Sequence, residues 1–267
     1  DVERSRGLGD VYKRQKLGGA RMKIFDAHFH IINFDYPVKE NKGYMPPEFK
    51  EEDYEIWQKD LGIDDGVIVS GSFQGFNQDY LIHALKSLKG HFVGTTQLPV
   101  ETSDEKIIKL NELGVRGVRF NVKRGGSEDL RHLKSFAQRV YDLVGWHTEL
   151  YIESKKLGEI KDIILELPQV SIDHLGLTKE GFEDLVRNGV YVKATGFGRI
   201  EVDPLQTLKA LMEINSNAIM FGTDLPSTRA KRPFEKSDIE LIEKNFSKEE
   251  QEKIFYKNAM HFYRITK

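Results

Sequence analysis

Two histidines one residue apart, in Phe25-Asp26-Ala27-His28-Phe29-His30, are the side chains of this 267-residue chain best placed to do chemistry. The alternation of Ile24, Asp26, His28 and His30 against Phe25, Ala27, Phe29 and Ile31 predicts a strand with one polar face. The two imidazoles should then point the same way, with Asp26 one step behind. Side by side at a strand end, they can grip a metal, or donate and accept protons around one substrate oxygen. A pair of partly buried histidines with no such duty is the alternative, and the rest of the chain decides between the two.

Other reactive side chains recur at the ends of apolar runs. Asp224, in Gly222-Thr223-Asp224-Leu225-Pro226, can take a proton from water, and His28, His30 and His174 could hold it ionised or orient a carbonyl under attack. Its plain alternative is a turn cap, a role aspartate favours. Arg119, Lys123, Arg124 and Arg199 would place positive charge beside such a centre, and arginine forks match carboxylates two-pronged. Ser72, Tyr151, Glu153, Lys193 and Thr195 close or follow further runs, whereas His147 opens the run that Tyr151 ends. Arg116, three residues before Arg119 and so on the other strand face, reads as structural. The run Pro226-Ser227-Thr228-Arg229-Ala230-Lys231-Arg232-Pro233 reads equally as anion contacts or as a solvated loop.

These residues need a scaffold that gathers strand ends. Buried strands are expected over 66–72, 92–98, 115–121, 147–152, 170–174, 190–195 and 218–224, after the first one at the histidine pair. Helices are expected between them over 51–61, 80–88, 103–113, 127–143, 157–167, 179–188 and 204–214, with two more closing the chain within 237–262. Eight strand–helix alternations without a repeat or a low-complexity linker predict one α/β domain, a single (β/α)8 TIM barrel over 22–267. An open doubly wound sheet is the second choice, and no glycine-rich phosphate loop follows the first strand to support it. In a barrel the C-terminal strand ends form the active face, which is where the polar residues fall. The long loop 33–48 should be a lid or wall.

Composition narrows the class. With 40 Lys and Arg against 42 Asp and Glu, interspersed, nothing calls for nucleic acid or a membrane surface as partner. With no cysteine there is no disulfide, thiolate metal site or cysteine nucleophile. No apolar run is long enough to span a bilayer and no secretory core is visible, so a cytoplasmic enzyme is the expectation. Residues 1–21, which include Asp10-Val11-Tyr12-Lys13-Arg14-Gln15, read as a translated sequencing adapter, hence a non-native, disordered segment with Met22 as the true start. A native flexible basic arm is the alternative.

From Met22 to Arg264 the chain resembles the amidohydrolase superfamily, in the branch that holds 2-pyrone-4,6-dicarboxylate lactonase and the sugar-acid lactonases. The stretches that carry the resemblance are Asp26-Ala27-His28-Phe29-His30, Gly117-Val118-Arg119-Phe120-Asn121, Ile172-Asp173-His174-Leu175-Gly176, Val192-Lys193-Ala194-Thr195-Gly196 and Phe221-Gly222-Thr223-Asp224-Leu225-Pro226. The resemblance implies hydrolysis at the barrel mouth, with Asp224 as general base and His28, His30 and His174 around the scissile carbonyl. Metal-binding relatives add a histidine at the end of strand five, or a lysine or acid at strand four. Tyr151 stands at the strand-five tip here, which implies the metal-independent lactonase branch and no obligatory cofactor. The expected reaction is the opening of a small carboxylate-bearing lactone, held by Ser72, Arg119, Lys123, Arg124, Tyr151, Lys193 and Arg199, by water that Asp224 deprotonates. The alternative is a metal-dependent decarboxylase or amide hydrolase with one divalent ion, zinc or manganese, on His28, His30 and Asp224. A barrel that binds a small acid without turning it over is a third reading. Loops 33–48, 73–78 and 123–128 would set the substrate, and a homo-oligomer is compatible with all of this.

Overall fold

The structure, a computed structural model, describes residues 21–179 and 181–266. The expectation for residues 1–21 therefore lies outside the described residues except at Arg21, whose guanidinium pairs with Asp64 at 2.5 Å.

Eight parallel strands pair in chain order: Ile24–Phe29 (β1), Ile63–Val69 (β2), His91–Thr96 (β3), Val115–Asn121 (β4), His147–Tyr151 (β5), Val170–Ile172 (β6), Tyr191–Ala194 (β7) and Ile219–Phe221 (β8). The ring is drawn shut by the segment after β8. There the Asp224 N–H donates to the His28 carbonyl (2.7 Å) and the His30 N–H to the Leu225 carbonyl (2.8 Å). This is the (β/α)8 barrel that the alternation predicts. Several strands are shorter than expected: β6 ends before Asp173 and His174, and β8 before Gly222, Thr223 and Asp224. Asp173, His174 and Asp224 lie just past the regular strands, where their side chains turn toward the barrel mouth, while the Thr223 hydroxyl turns to Asp26.

The helices form where charge and caps favour them. Glu51–Leu61 (α1) opens on three acids at the positive helix end, its Asp53 carboxylate accepting the Lys50 N–H (2.8 Å), and stops at Gly62 in the left-handed region (φ 69°). Asp79–Ser87 (α2) follows β2, and Asp104–Glu112 (α3) is capped by Ser103, whose hydroxyl accepts the Lys106 N–H at 3.2 Å. Leu133–Val144 (α4) begins later than expected, after a 3₁₀ turn at Leu130–His132. Lys161–Glu166 (α5) and Glu183–Arg187 (α6) are also trimmed, while Pro204–Ile214 (α7) matches the expected span, with Asp203 as cap and proline at its first turn. The chain closes through Lys236–Asn245 (α8), Lys248–Glu252 (α9), a π turn at Lys253–Lys257 and Asn258–Phe262 (α10), one helix more than expected. Among the described residues no helix is long and apolar enough to cross a membrane.

The apolar residues form two layers. Phe29, Tyr54, Leu81, Leu110, Phe136 and Ile172 belong to the layer between strands and helices, and Phe25, Ala27, Val67, Val69, Val93 and Met220 pack with Phe262 and Tyr263 in the second. On β1 the pairing register with β2 shifts between Asp26 and Phe29, a bulge that reassigns the side chains that follow. Asp26 and His28 therefore part company, contrary to the simple alternation. The Asp26 carboxylate accepts from the Tyr54 hydroxyl of α1 (3.0 Å) and from the Thr223 N–H (2.8 Å) and hydroxyl (2.7 Å), while His28 faces Asp173, just past β6, and Lys193 of β7. Burial pushes the Asp26 carboxyl up to about 6 against the pull of the Thr223, His28 and Tyr54 bonds.

Candidate active site

At the end of β1 and just past β6 and β8, three imidazoles surround one carboxylate oxygen. The Nε2 atoms of His28, His30 and His174 lie 3.7, 3.7 and 3.9 Å from Asp224 Oδ1. These separations exceed hydrogen-bond length. Both Asp224 Oδ1 and His28 Nε2 are buried without any bond. The rings pack edge to face, His28 against His30 at 5.0 Å and against His174 at 4.8 Å between centroids. His174 and Asp224 are held with left-handed backbones (φ 51° and 60°), conformations that cost a non-glycine residue energy and cluster at functional sites.

The outward bonds of the rings set their protons. His30 Nδ1 sits 2.7 Å from the Val69 carbonyl, which can only accept, so Nδ1 carries a hydrogen, and in the neutral ring Nε2 presents a lone pair toward Asp224. His28 Nδ1 lies 3.2 Å from the Lys193 ammonium, which can only donate. In the neutral ring the hydrogen is therefore on His28 Nε2, aimed into the centre. His174 Nδ1 pairs with the Thr195 hydroxyl at 2.6 Å. Burial, together with the charge of Lys193 and the neighbouring rings, holds His28 well below the usual imidazole range; burial also outweighs the pull of Asp224 on His174 and lowers it in turn. Burial alone would raise the Asp224 carboxyl. Arg199, whose Nε and Nη2 donate to Oδ2 at 2.8 and 2.5 Å, together with His174 and His30 outweighs it, and they hold the group below the usual carboxylate range.

Beneath the histidines lies a buried charge network that sequence reasoning missed. Lys193 donates to Glu149 (2.7 Å), and Glu149 also accepts from the Tyr263 hydroxyl (2.7 Å) and meets His147 Nε2 at 3.0 Å. Asp173 accepts from Arg119 Nε and Nη2 (3.3 and 2.7 Å), and Arg119 Nη1 donates to the Ser70 carbonyl (2.8 Å). The one sequence signal for Asp173 was its place directly before His174; Glu149 lay unmarked inside a strand.

The remaining expected residues divide. Ser72, Arg119, Arg124, Tyr151 and Arg199 line the cleft above the histidines, joined by Arg229 from the loop after β8. Lys193 does not line it: the side chain is fully buried below His28. Lys123 turns away to Glu153 at 2.6 Å. The cleft leaves about 30 Å³ for a water-sized body, room for a water or two and less than a ring-sized substrate. A larger hollow of about 900 Å³ on the outer helices holds surface ion pairs, Arg139–Asp104 and Lys134–Glu166, and gathers no histidine.

Two side-chain sets bring three potential ligand atoms within 4.8 Å of one another, His28–His30–Asp224 and His28–Asp173–His174. Their chemistry suits a resident cation poorly. In the neutral ring that Lys193 favours, His28 Nε2 offers no lone pair to the first set and Nδ1 faces the ammonium in the second, and Arg199 and Arg119 already pair with Asp224 and Asp173.

A model of the Amidohydrolase family matches residues 25–265. The chain is 31% identical over 156 residues to a 2-pyrone-4,6-dicarboxylate hydrolase of Comamonas testosteroni, covering 57% of this chain and 51%, about half, of that protein's length. It is 25% identical over 225 residues to a 4-sulfomuconolactone hydrolase of Hydrogenophaga intermedia, covering 76% of this chain and 74% of the relative. The fold is shared with a "probable 2-pyrone-4,6-dicarboxylic acid hydrolase" of Acinetobacter baumannii solved with citric acid bound (TM-score 0.78, 22% identity, 91% of this chain and 99% of that one). It is shared as well with an amidohydrolase of Burkholderia multivorans solved with zinc (TM-score 0.71, 15% identity, 91% and 99%).

Proposed function

From the premise that this chain belongs to the amidohydrolase family, we propose that it is a hydrolase that opens a carboxylate-bearing lactone at the barrel mouth without a resident metal. One observation carries the reading: a buried, unbonded carboxylate oxygen, Asp224 Oδ1, faced by three imidazole nitrogens at 3.7–3.9 Å. Polar atoms so spaced suit a bridging water. Such a water accepts from the His28 Nε2–H and donates to Asp224 Oδ1 and to the lone pair of His30 Nε2. The names of the two relatives, a pyrone dicarboxylate hydrolase and a sulfomuconolactone hydrolase, support an acid-bearing lactone as substrate.

In the proposed reaction the substrate carbonyl sits over the histidines. Asp224 Oδ1 takes a proton from water as the water oxygen bonds to the carbonyl carbon. The oxyanion that forms is met by the His28 Nε2–H, an oriented donor in a buried site. The C–O bond of the ring then breaks, and the proton on Asp224 passes to the departing ring oxygen. One water is consumed and an open hydroxy acid leaves. Arg199 has two parts in this. While it sits on Oδ2 it makes Asp224 a weak base. A substrate carboxylate that draws the guanidinium to itself frees the base and opens the narrow cleft in one movement.

Hydrolysis of a panel of carboxylated lactones, assayed with and without chelator, tests this reading. Turnover that survives chelation is expected; no turnover of any member contradicts it. The clustering of His28, His30 and Asp224 favours a second reading, a metal-dependent decarboxylase or amide hydrolase. Stoichiometric zinc or manganese in the purified protein, with activity lost to chelator, would establish that one instead.

A further inference from the structure

His28 Nδ1 has two neighbours that would set its hydrogen in opposite ways. The Lys193 ammonium, 3.2 Å away, can only donate. Asp173 Oδ1, 3.7 Å away, is a carboxylate acceptor, buried and without a hydrogen bond, while Arg119 occupies Oδ2. Beside the donor, Nδ1 keeps its lone pair and the hydrogen stands on Nε2; beside the acceptor alone, the hydrogen belongs on Nδ1. Which neighbour wins is decided beneath the ring. Lys193 lies 3.7 Å from Asp173 Oδ1 as well, and Glu149 Oε2 holds the ammonium away from it, accepting at 2.7 Å. Glu149 is fixed in turn through its other oxygen. Oε1 accepts from the Tyr263 hydroxyl at 2.7 Å and the Thr95 hydroxyl at 3.1 Å, and meets His147 Nε2 at 3.0 Å. Burial would raise the Glu149 carboxyl; Lys193 and His147 outweigh it and hold the group below the usual carboxylate range. Tyr263 packs with Phe25, Val67, Val93 and Met220, and its ring centre lies 5.9 Å from Lys193 Nζ. A buried column, Tyr263–Glu149–Lys193, thus runs from the closing segment of the chain to the underside of His28, and none of the three lines the cleft.

We propose that Lys193, anchored by Glu149, is a positioning residue: it keeps the hydrogen of His28 on Nε2 against the competing acceptor Asp173, so that the ring presents a donor to the reaction centre. The assignment rests on the lactone reading for its effect on turnover, and it deepens that reading. Lys193 acts on the histidine from below, where the family resemblance implied contact with substrate. Without it, the empty lone pair of Asp173 Oδ1 draws the hydrogen to Nδ1. His28 then turns a lone pair to the centre, and the oxyanion loses its donor.

Nitrogen NMR of the full chain, isotopically labelled at its histidine rings and free of substrate at neutral pH, reads the tautomer. The ring nitrogen that bears the hydrogen shows direct coupling to it, and the His28 signals are identified by their loss in His28→Gln. Wild type should carry the hydrogen on Nε2. Lys193→Met, which keeps the length of the side chain and removes the donor, should move it to Nδ1, facing Asp173. A hydrogen on Nδ1 in wild type, or one that stays on Nε2 in folded Lys193→Met, overturns the proposal. Where the unpaired Glu149 charge keeps Lys193→Met from folding, Lys193→Met combined with Glu149→Gln removes both charges together, and the same outcomes decide. On the best lactone, Lys193→Met should lower kcat by about a hundredfold or more with little change in KM, as loss of an oxyanion donor does. A reversed hydrogen with kcat unchanged overturns the role in turnover. If the hydrogen moves as expected while no lactone is hydrolysed by wild type, the hold of Lys193 on His28 stands and the lactone reading falls.

Discussion

Asp224 and His28 matter through the atoms they leave unbonded, and each is held so by a partner on its other side. Arg199 occupies Asp224 Oδ2, and Lys193 occupies His28 Nδ1. Asp224 is thereby held ionised below the usual carboxylate range, and burial keeps His28 and His174 neutral below the usual imidazole range. In the proposed reaction, loss of activity on acidification would come from protonating one of these groups, so depressed values would move that loss to lower pH. Arg199→Met removes the strongest pull on Asp224 and leaves burial to raise it. The acid limb of kcat/KM should then move upward in pH relative to wild type, with kcat/KM about a hundredfold lower; an unmoved limb would mean that Arg199 does not hold the base. The four residues at the centre were legible in the sequence because each stands at the end of an apolar run, where a barrel puts its chemistry. The division of the cations into paired and unpaired was not legible: whether Arg124 or Lys123 finds an acid depends on residues far away in the chain, such as Glu153.

At the scale of elements, the β1 bulge does the positioning. It sends Asp26 to the helix side and His28 to the interior, and Asp26 then grips Thr223, the residue before Asp224. One buried carboxylate thus fixes β1, α1 and the segment after β8 together. Asp26→Ala leaves the Thr223 N–H and two hydroxyls without their acceptor, at about 1–3 kcal/mol for each buried donor left unsatisfied. We expect a loss of about 2–4 kcal/mol in urea unfolding, after partial relaxation; a midpoint within error of wild type would show that the staple is dispensable. Period-two alternation misplaced Asp26 because a bulge inserts a residue into the pattern and has no composition signal of its own. Strand ends were overextended for a related reason. Asp173, His174 and Asp224 continue an apolar run in sequence, but they lie past the last regular strand residues, two of them in the left-handed region.

The whole molecule converts chain order into proximity. Strands that pair strictly in sequence, with the first meeting the last, put His28 and His30 from one end of the chain against Asp224 from near the other. The barrel itself was plain from eight alternations of apolar strand and amphipathic helix. What escaped sequence reasoning was the inside of the barrel, where Lys193, Glu149, Asp173 and Arg119 form a buried network under the histidines. Strand periodicity says which residues face inward but not which of them pair. Everything proposed for the mouth depends on the gathered carboxylate activating water, and turnover of the best lactone by Asp224→Asn bears on that step alone. The amide keeps the size of the side chain but cannot take the proton. We expect kcat to fall by about a thousandfold or more, with circular dichroism and the unfolding transition still those of a folded barrel; a folded Asp224→Asn protein with near-wild-type turnover would refute the role of Asp224 as base.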